Sequence, residues 1–473
     1  MKKIHSISFI FCSIPVLLFA KKIEDRPNIL FILSDDHSYP YLSCSGNPDV
    51  QTPNIDRLAQ EGIQYHRAYT SAPQSVPSRT TLMTGRNVLD VRMSRFSAPL
   101  QREYTAFPEV LRQNGYYTGV CGRSYHLDGS ESKADATVQI FKKYHLQTFQ
   151  DRMDFVRVAQ DADETMDQFK EFLDEAPADK PFFVQVNFHD PHWPWTAKAY
   201  NPDPEKIQIP AGMPDIKELR QTLAAHYGEI MRLDAYVGKV MEELQERKIR
   251  NTVVVFMGDN GSAVLRGKGT LYDAGLHVPL IIKWEGKIPN GSDSYALISG
   301  EDLAPTLLDI GKSEIPEEMT GKSFAKTFSC PESYIRDYVY AVRVAHGSGL
   351  PTGTNSFDLS RTVFSNEYKL IYNVLWQLPY IPVDFAGSPL WKKLKEDNAR
   401  HVLAEPFKTL FFPDTRKMFE LYDLKNDPFE LHNLSGNSAY QQVEQDLKTL
   451  LQEWMIVYQD YCPLPIPPGK KNH

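Results

Sequence analysis

The chain has 473 residues, of which 42% are hydrophobic and 24% charged, and a formal net charge of −8. This profile excludes a disordered or fibrous chain and fits a globular enzyme. Net acidity without any Lys/Arg block argues against a nucleic-acid partner, so attraction for a polyanion must come from a local basic pocket.

Met1-Lys2-Lys3, an apolar stretch from Ile7 to Phe19 and then Ala20 read as a secretory signal peptide over residues 1–20. The stretch is broken by Ser8, Ser13 and Pro15, too short for a membrane span. Its removal takes away Lys2 and Lys3, which moves the net charge from −8 to about −10. The mature protein is expected to be exported, periplasmic or secreted, with no stable membrane association. Cys44, Cys121, Cys330 and Cys462 show neither a CxxC pair nor zinc-ligand spacing, leaving isolated buried thiols or one disulfide.

Three near-continuous apolar runs carry the organisation. Residues 28–34 run into Asp35-Asp36, residues 182–188 into His189-Asp190-Pro191-His192, and residues 252–257 into Gly258-Asp259-Asn260-Gly261. Strands that are apolar on both faces belong to a parallel sheet covered by helices. Ligands bind at the carboxyl ends of such strands, so the three polar clusters are expected to converge on one site. Helices are predicted over 54–61, 105–114 and, from apolar spacing by threes and fours, 215–247. Residues 197–215 and 288–294 read as loops. Past residue 335 the predicted elements are a strand over 362–374, another over 419–424 and a helix over 439–459. The expected architecture is α/β over 21–335, with a large, mostly parallel sheet, followed by a smaller α+β domain with an antiparallel sheet over 336–473.

Ser75-Val76-Pro77-Ser78-Arg79-Thr80-Thr81-Leu82-Met83-Thr84-Gly85-Arg86 is the most specific segment. Taken singly, its residues describe a Ser-Pro turn entering a helix, with Pro77 in the first turn and Ser75 or Ser78 as cap. Together they match the signature by which type I sulfatases mark one residue for oxidation to formylglycine, and the chain resembles that family. Glu420-Leu421-Tyr422-Asp423-Leu424, Asp427-Pro428, Glu430, Asn433 and Leu434 resemble its C-terminal signature, so the likeness runs from Pro27 to about Ser435. It implies an alkaline-phosphatase-like fold, a catalytic domain over 21–335 and sulfuric ester or sulfamate hydrolysis. It also implies that Ser75 is converted to 3-oxoalanine (formylglycine), whose hydrate attacks sulfur and then collapses to expel sulfate.

Asp35 and Asp36 are adjacent acids that repel unless a cation lies between them, and Asp259-Asn260 adds two more oxygen donors. All-oxygen sets suit calcium first and magnesium second. The resemblance carries the metal ligands onto Asp35, Asp36, Asp259, Asn260 and the modified Ser75. Single-feature alternatives are a helix cap at Asp35-Asp36 and a β-turn at Asp259-Asn260-Gly261. Asn260-Gly261-Ser262 is also a glycosylation sequon, discounted because it would lie in the site.

By the same resemblance, Arg79 stabilises the aldehyde hydrate and Lys268, within Lys268-Gly269-Thr270-Leu271-Tyr272, clamps sulfate. The family's Gly-Lys-x-His element departs here to Gly122-Arg123-Ser124-Tyr125-His126. Arg123 can hold sulfate bidentately, while His126 sits one residue further along than the pattern. His189 is the candidate general acid or sulfate-oxygen donor. His192 and Trp193 are candidates for substrate contact, with Trp193 and Trp195 able either to stack on a sugar or to pack the loop.

A two-zinc pattern is lacking, which points to one cation and sulfate; a phosphonate or phosphodiester hydrolase is the alternative. The Phe-His-Asp-Pro-His run and residues 361–373 and 375–390 resemble heparan N-sulfatase (N-sulfoglucosamine sulfohydrolase), whereas the Lys268 context resembles the O-sulfatases. The expected substrate is a sulfated saccharide of heparan or heparin type, with another sulfated glycan or an aryl sulfate as alternatives. Serine at the modified position implies a radical-type, formylglycine-generating maturase. A non-catalytic glycan-binding protein follows if Ser75 is unmodified.

Overall fold

The computed structural model describes residues 26–93, 99–127, 135–146, 148–346 and 357–465. The expected signal peptide lies outside the described residues. The strands are β1 (Asn28–Ser34), β2 (Ile63–Tyr65), β3 (Ala68–Tyr69), β4 (Tyr117–Gly122), β5 (Phe155–Val156), β6 (Phe182–Asn187) and β7 (Thr252–Gly258). They continue with β8 (Leu280–Trp284), β9 (Ser292–Ser294), β10 (Ile298–Ser299), β11 (Val339–Arg343), β12 (Ser360–Phe364), β13 (Tyr368–Asn373) and β14 (Phe419–Asp423). Eight of them form one sheet in the order β5-β4-β6-β1-β7-β8-β2-β9. The stretch from β5 to β7 is parallel, and β8 runs antiparallel to both β7 and β2.

The apolar runs form the centre of this sheet because both their faces are covered. Ile29, Phe31 and Leu33 join Val253, Val255 and Met257 in one core. Leu30 and Ile32 join Val184, Val186, Val254 and Phe256 in the other. This period-two alternation between two cores is the physical content of a doubly covered strand.

The first six helices are α1 (Pro53–Gln60), α2 (Ser75–Thr84), α3 (Phe107–Gln113), α4 (Asp135–Lys143), α5 (Ala162–Glu175) and α6 (Lys217–Glu246), of which α2 and α6 bear on the site. The apolar stripe of α6, including Leu219, Leu223, Ile230, Leu233, Val237 and Val240, packs into the second core. Every residue of α2 is buried, and Gly85 ends it at φ 63, a left-handed cap that glycine adopts without a Cβ penalty.

A four-stranded antiparallel sheet, β11-β12-β13-β14, follows in the C-terminal part, against which the helix Gln441–Val457 packs. The single strand expected over 362–374 is instead the hairpin β12–β13. Ser365 Oγ accepts from the backbone N–H groups of Glu367 and Tyr368 at 3.1 and 3.2 Å, a serine turn that reverses the chain. The loop expected over 288–294 contains β9, which pairs along β2. All four described cysteines are free thiols, and Cys330 is exposed rather than buried. No helix among the described residues is long and apolar enough to cross a membrane.

Candidate active site

Strand register assembles the site. Leu33 of β1 stands opposite Asn187 of β6, and Ser34 opposite Gly258 of β7, so all three strands end level. The ladder continues past them, with Phe188 N–H donating to Leu33, Asp259 N–H to Ser34 and Asp35 N–H to the Asp190 carbonyl. Asp36 then turns at φ 62, a left-handed conformation that Asp tolerates better than most residues. Its N–H bonds Asp259 Oδ1 at 2.9 Å, closing the two acidic strand ends onto each other.

Ser75 enters at the first position of α2, with Gln74, not Ser75 or Ser78, as the N-cap. Ser75 Oγ lies 3.1 Å from both Asp35 Oδ1 and Asn260 Oδ1. Ser78 Oγ is spent on the Asp259 carbonyl. Arg79, one turn along α2, is fully buried; its Nε meets Asp259 Oδ2 at 2.9 Å and its Nη2 meets Asp35 Oδ2 at 3.3 Å. The helix thus presents residue 75 to the oxygen cluster and fixes that cluster from below.

Arg123 follows β4 and pairs with Asp35 Oδ2 at 2.6 Å, with its Nη2 3.4 Å from His126 Nε2. Lys268 Nζ lies 2.9 Å from Asp36 Oδ2. His192 Nε2 lies 3.6 Å from the same oxygen, which puts His192 against the acidic pair as well as at the edge expected to meet substrate. His189, at the end of β6, lies within the field of Arg123 and Asp35. Trp193 is half-buried against the second apolar core, and Trp195 packs on His226 and Phe385. Both rings pack the loop on one side and remain partly exposed.

Burial opposes the charge on Asp36 and lifts its carboxyl to about 8, against the pull of Lys268 and with a push from Asp35 and Asp259. Burial and the Asp35 charge lift Asp259 to about 6. Burial works the same way on Asp35, but Arg123 and Arg79 hold it well below the usual carboxylate range. Three buried carboxylates around one amide and one hydroxyl oxygen form a hard-donor cluster whose mutual repulsion a divalent cation would relieve. Asp35, Asp36, Ser75, Asp259 and Asn260 therefore fit such an ion. The amide of Asn260 donates to Asp36 Oδ1 at 2.8 Å and is fully buried, which closes the glycosylation sequon to modification.

Burial, with Arg123 next, pushes His126 well below the imidazole range and His189 down to about 4. Burial and Lys268 do the same to His192. Burial also works against the Lys268 ammonium, but Asp36 and Asp384 raise it above its ordinary value.

Asp384 and His346 were not expected. Lys268 Nζ lies 2.7 Å from Asp384 Oδ2, and His346 Nε2 lies 3.1 Å from Asp384 Oδ1. Both come from loops beyond the main sheet, where a lone acid among prolines or a lone His carries no local signal. Asp190 has a further partner in Arg232 of α6, which ties the histidine loop to the helix.

Comparison with known proteins agrees with this architecture. A family model described as Sulfatase matches residues 27–313, and one described as N-sulphoglucosamine sulphohydrolase, C-terminal, matches residues 263–375 and 392–456. An ulvan-active sulfatase of Formosa agariphila is 27% identical over 95% of this chain and 85% of its own length. The N-sulphoglucosamine sulphohydrolase of Homo sapiens is 26% identical over 94% of this chain and 93% of its own. A solved structure of a protein in complex with its substrate D-glucosamine-2-N,6-O-disulfate superposes with a TM-score of 0.68 at 20% identity, covering 92% of this chain and 99% of the other. The match over the main sheet, the signature on α2 and the strand-end cluster lead to one conclusion: this chain belongs to the sulfatase family, whose members hydrolyse sulfuric esters.

Proposed function

We propose that this protein removes sulfate from a sulfated saccharide, with a heparan-type, N-sulfated glucosamine unit as the favoured substrate. The observation that carries the reading is the position of Ser75, its Oγ 3.1 Å from Asp35 Oδ1 and Asn260 Oδ1 at the start of a buried helix. The glycan class rests on relatives named for ulvan, N-sulphoglucosamine and N-acetylglucosamine-6-O-sulfate. The N-sulfated lean rests on the C-terminal family match. An O-sulfate linkage is the second reading, favoured by the lysine at position 268.

The reading takes residue 75 as formylglycine, whose hydrate supplies a hydroxyl nucleophile, and calcium as the ion that neutralises sulfate oxygens among the five oxygen donors. The chain's own residues do the rest. Arg79 pins Asp35 and Asp259 and keeps residue 75 aimed at the cluster. Arg123 and Lys268 place two cations on opposite flanks of the acidic pair, where they attract a sulfate group and counter charge that builds on its oxygens. The N-terminus of α2 adds a partial positive charge at the same point. His189 and His192 stand at the strand-end loop, where neutral imidazoles can hydrogen-bond the sulfate oxygens and the departing sugar atom. The leader-like N-terminus and the serine at 75 support maturation by a radical-type enzyme before export.

Mass spectrometry of the peptide carrying Ser75, from protein made in its native source, should show the loss of two hydrogens. An intact serine would leave only a glycan-binding role. A panel of N-, 2-O- and 6-O-sulfated saccharides decides the linkage; release from O-sulfated sugars alone would rule out the N-sulfatase lean.

A further inference from the structure

Asp384 is the outermost member of the charged cluster. Side-chain exposure rises from 0% at Asp36 and 1% at Lys268 to 28% at Asp384, so Lys268 lies between a buried carboxylate and one open to an incoming ligand. Asp384 stands at φ 58, a left-handed conformation that Asp tolerates, as at Asp36. Val383 fills the space that a side chain on Gly269 would occupy, which interlocks the two loops and brings Asp384 onto Lys268. His346 holds the other carboxylate oxygen, and its Nδ1 lies 3.2 Å from Nε2 of Gln74, the residue before Ser75.

An anion at the mouth of a sulfate site works against the sulfate. Lys268 offsets part of the Asp384 charge, but a second sulfate placed directly against that carboxylate would still face like-charge repulsion in a partly dehydrated site. An ionised carboxylate also accepts hydrogen bonds and donates none, so the ligand group it faces must be a donor. On a sulfated sugar the donors are hydroxyl, N–H or amine groups, never a second sulfate. Asp384 falls at 376–391, between the two segments matched by the C-terminal family model, so the shared pattern does not include it.

Building on the glycan reading, we propose that Asp384 is a specificity-determining residue. It accepts a hydrogen bond from a hydroxyl or nitrogen donor beside the sulfate being removed, and it excludes saccharides carrying a second sulfate at that neighbouring position.

The test compares kcat/KM on paired saccharides, such as N-sulfoglucosamine and its 3-O-sulfated form, or a 6-O-sulfated unit and its 4,6-disulfated form. In D384N the preference should shift towards the doubly sulfated member by at least tenfold, carried by a lower KM for that member. Asp384→Ser gives the same shift if the amide disturbs folding, with melting temperature checked for both variants. An unchanged ratio, or an equal fall on both members, overturns the assignment while leaving the glycan reading intact. A wild-type enzyme that releases sulfate from no saccharide removes that reading, and the role of Asp384 with it.

Discussion

Arg232 grips Asp190 with two parallel hydrogen bonds, Nε to Oδ2 at 2.8 Å and Nη2 to Oδ1 at 2.7 Å. Nη2 also donates to Glu229, whose other oxygen receives the N–H groups of Thr196 and Ala197. Helix α6 therefore holds both ends of the segment that carries His189 and His192. A planar fork is what this geometry uses. Replacing Arg232 with Met should lower kcat/KM by about tenfold or more, roughly 1.4 kcal/mol of transition-state stabilisation, with Lys recovering only part. Steady-state kinetics on the best saccharide of the panel checks this; full activity in R232M would show that the loop needs no such anchor.

Cation binding should register as stability as well as activity. Asp35, Asp36 and Asp259 are buried together, and an ion that joins them acts only on the folded state. Protein stripped with a chelator should melt a few degrees higher once calcium is added, since a hundredfold excess over Kd contributes about 2.7 kcal/mol. D259N should shrink that rise. Identical melting curves with and without calcium, measured by scanning calorimetry, would contradict the cluster as a cation site.

Lys369 of β13 ties the C-terminal sheet to the loop after Lys268. It is fully buried, paired with Asp273 and, at 2.9 Å, with Glu430 Oε1. Removing one partner of a buried ionic set leaves the others uncompensated. K369M should therefore cost about 3–5 kcal/mol, read as a fall in the denaturant midpoint. A loss under about 1 kcal/mol would mean that water reaches the acids.

His226 predicts an acid-sensitive fold. Its ring is fully buried with centroids 5.1 Å from Tyr41 and from Trp195, and burial pushes it down to about 3. An unfolded imidazole titrates near 6.5, so below that pH the unfolded chain binds a proton that the folded one refuses. Stability is complete above about pH 6.5 and falls as pH drops towards 3, by about 2 kcal/mol at pH 5. H226F should lose less stability than the parent between pH 7.5 and pH 5 by about that amount. Parallel pH profiles for the two proteins would disprove the linkage.

Much of the site could be read before any coordinates. Asp35, His189 and Asp259 each follow an apolar run, and strands buried on both faces announce themselves by composition; their ends must then meet. The α2 segment was legible because many residues at fixed spacing describe one object. The hairpin β12–β13 was misread as one strand because the reversal rests on a single serine turn inside an otherwise strand-forming run. Trp193 stayed open between two roles because, in sequence, an aromatic ring beside a polar cluster looks the same whether it faces ligand or core.

The linear chain alone determined the sheet centre, the helix period of α6, the α2 signature and the acids at the strand ends, because each is a local pattern repeated within a few residues. Only the tertiary structure decided that Asp384 reaches both Lys268 and His346, that Arg232 anchors the histidine loop, and that Trp195 packs on His226 and Phe385. Those pairings join residues from 31 to 190 positions apart, across loops with no periodicity. Long-range contact is set by how the layers close over one another, and no window of neighbouring residues contains that information.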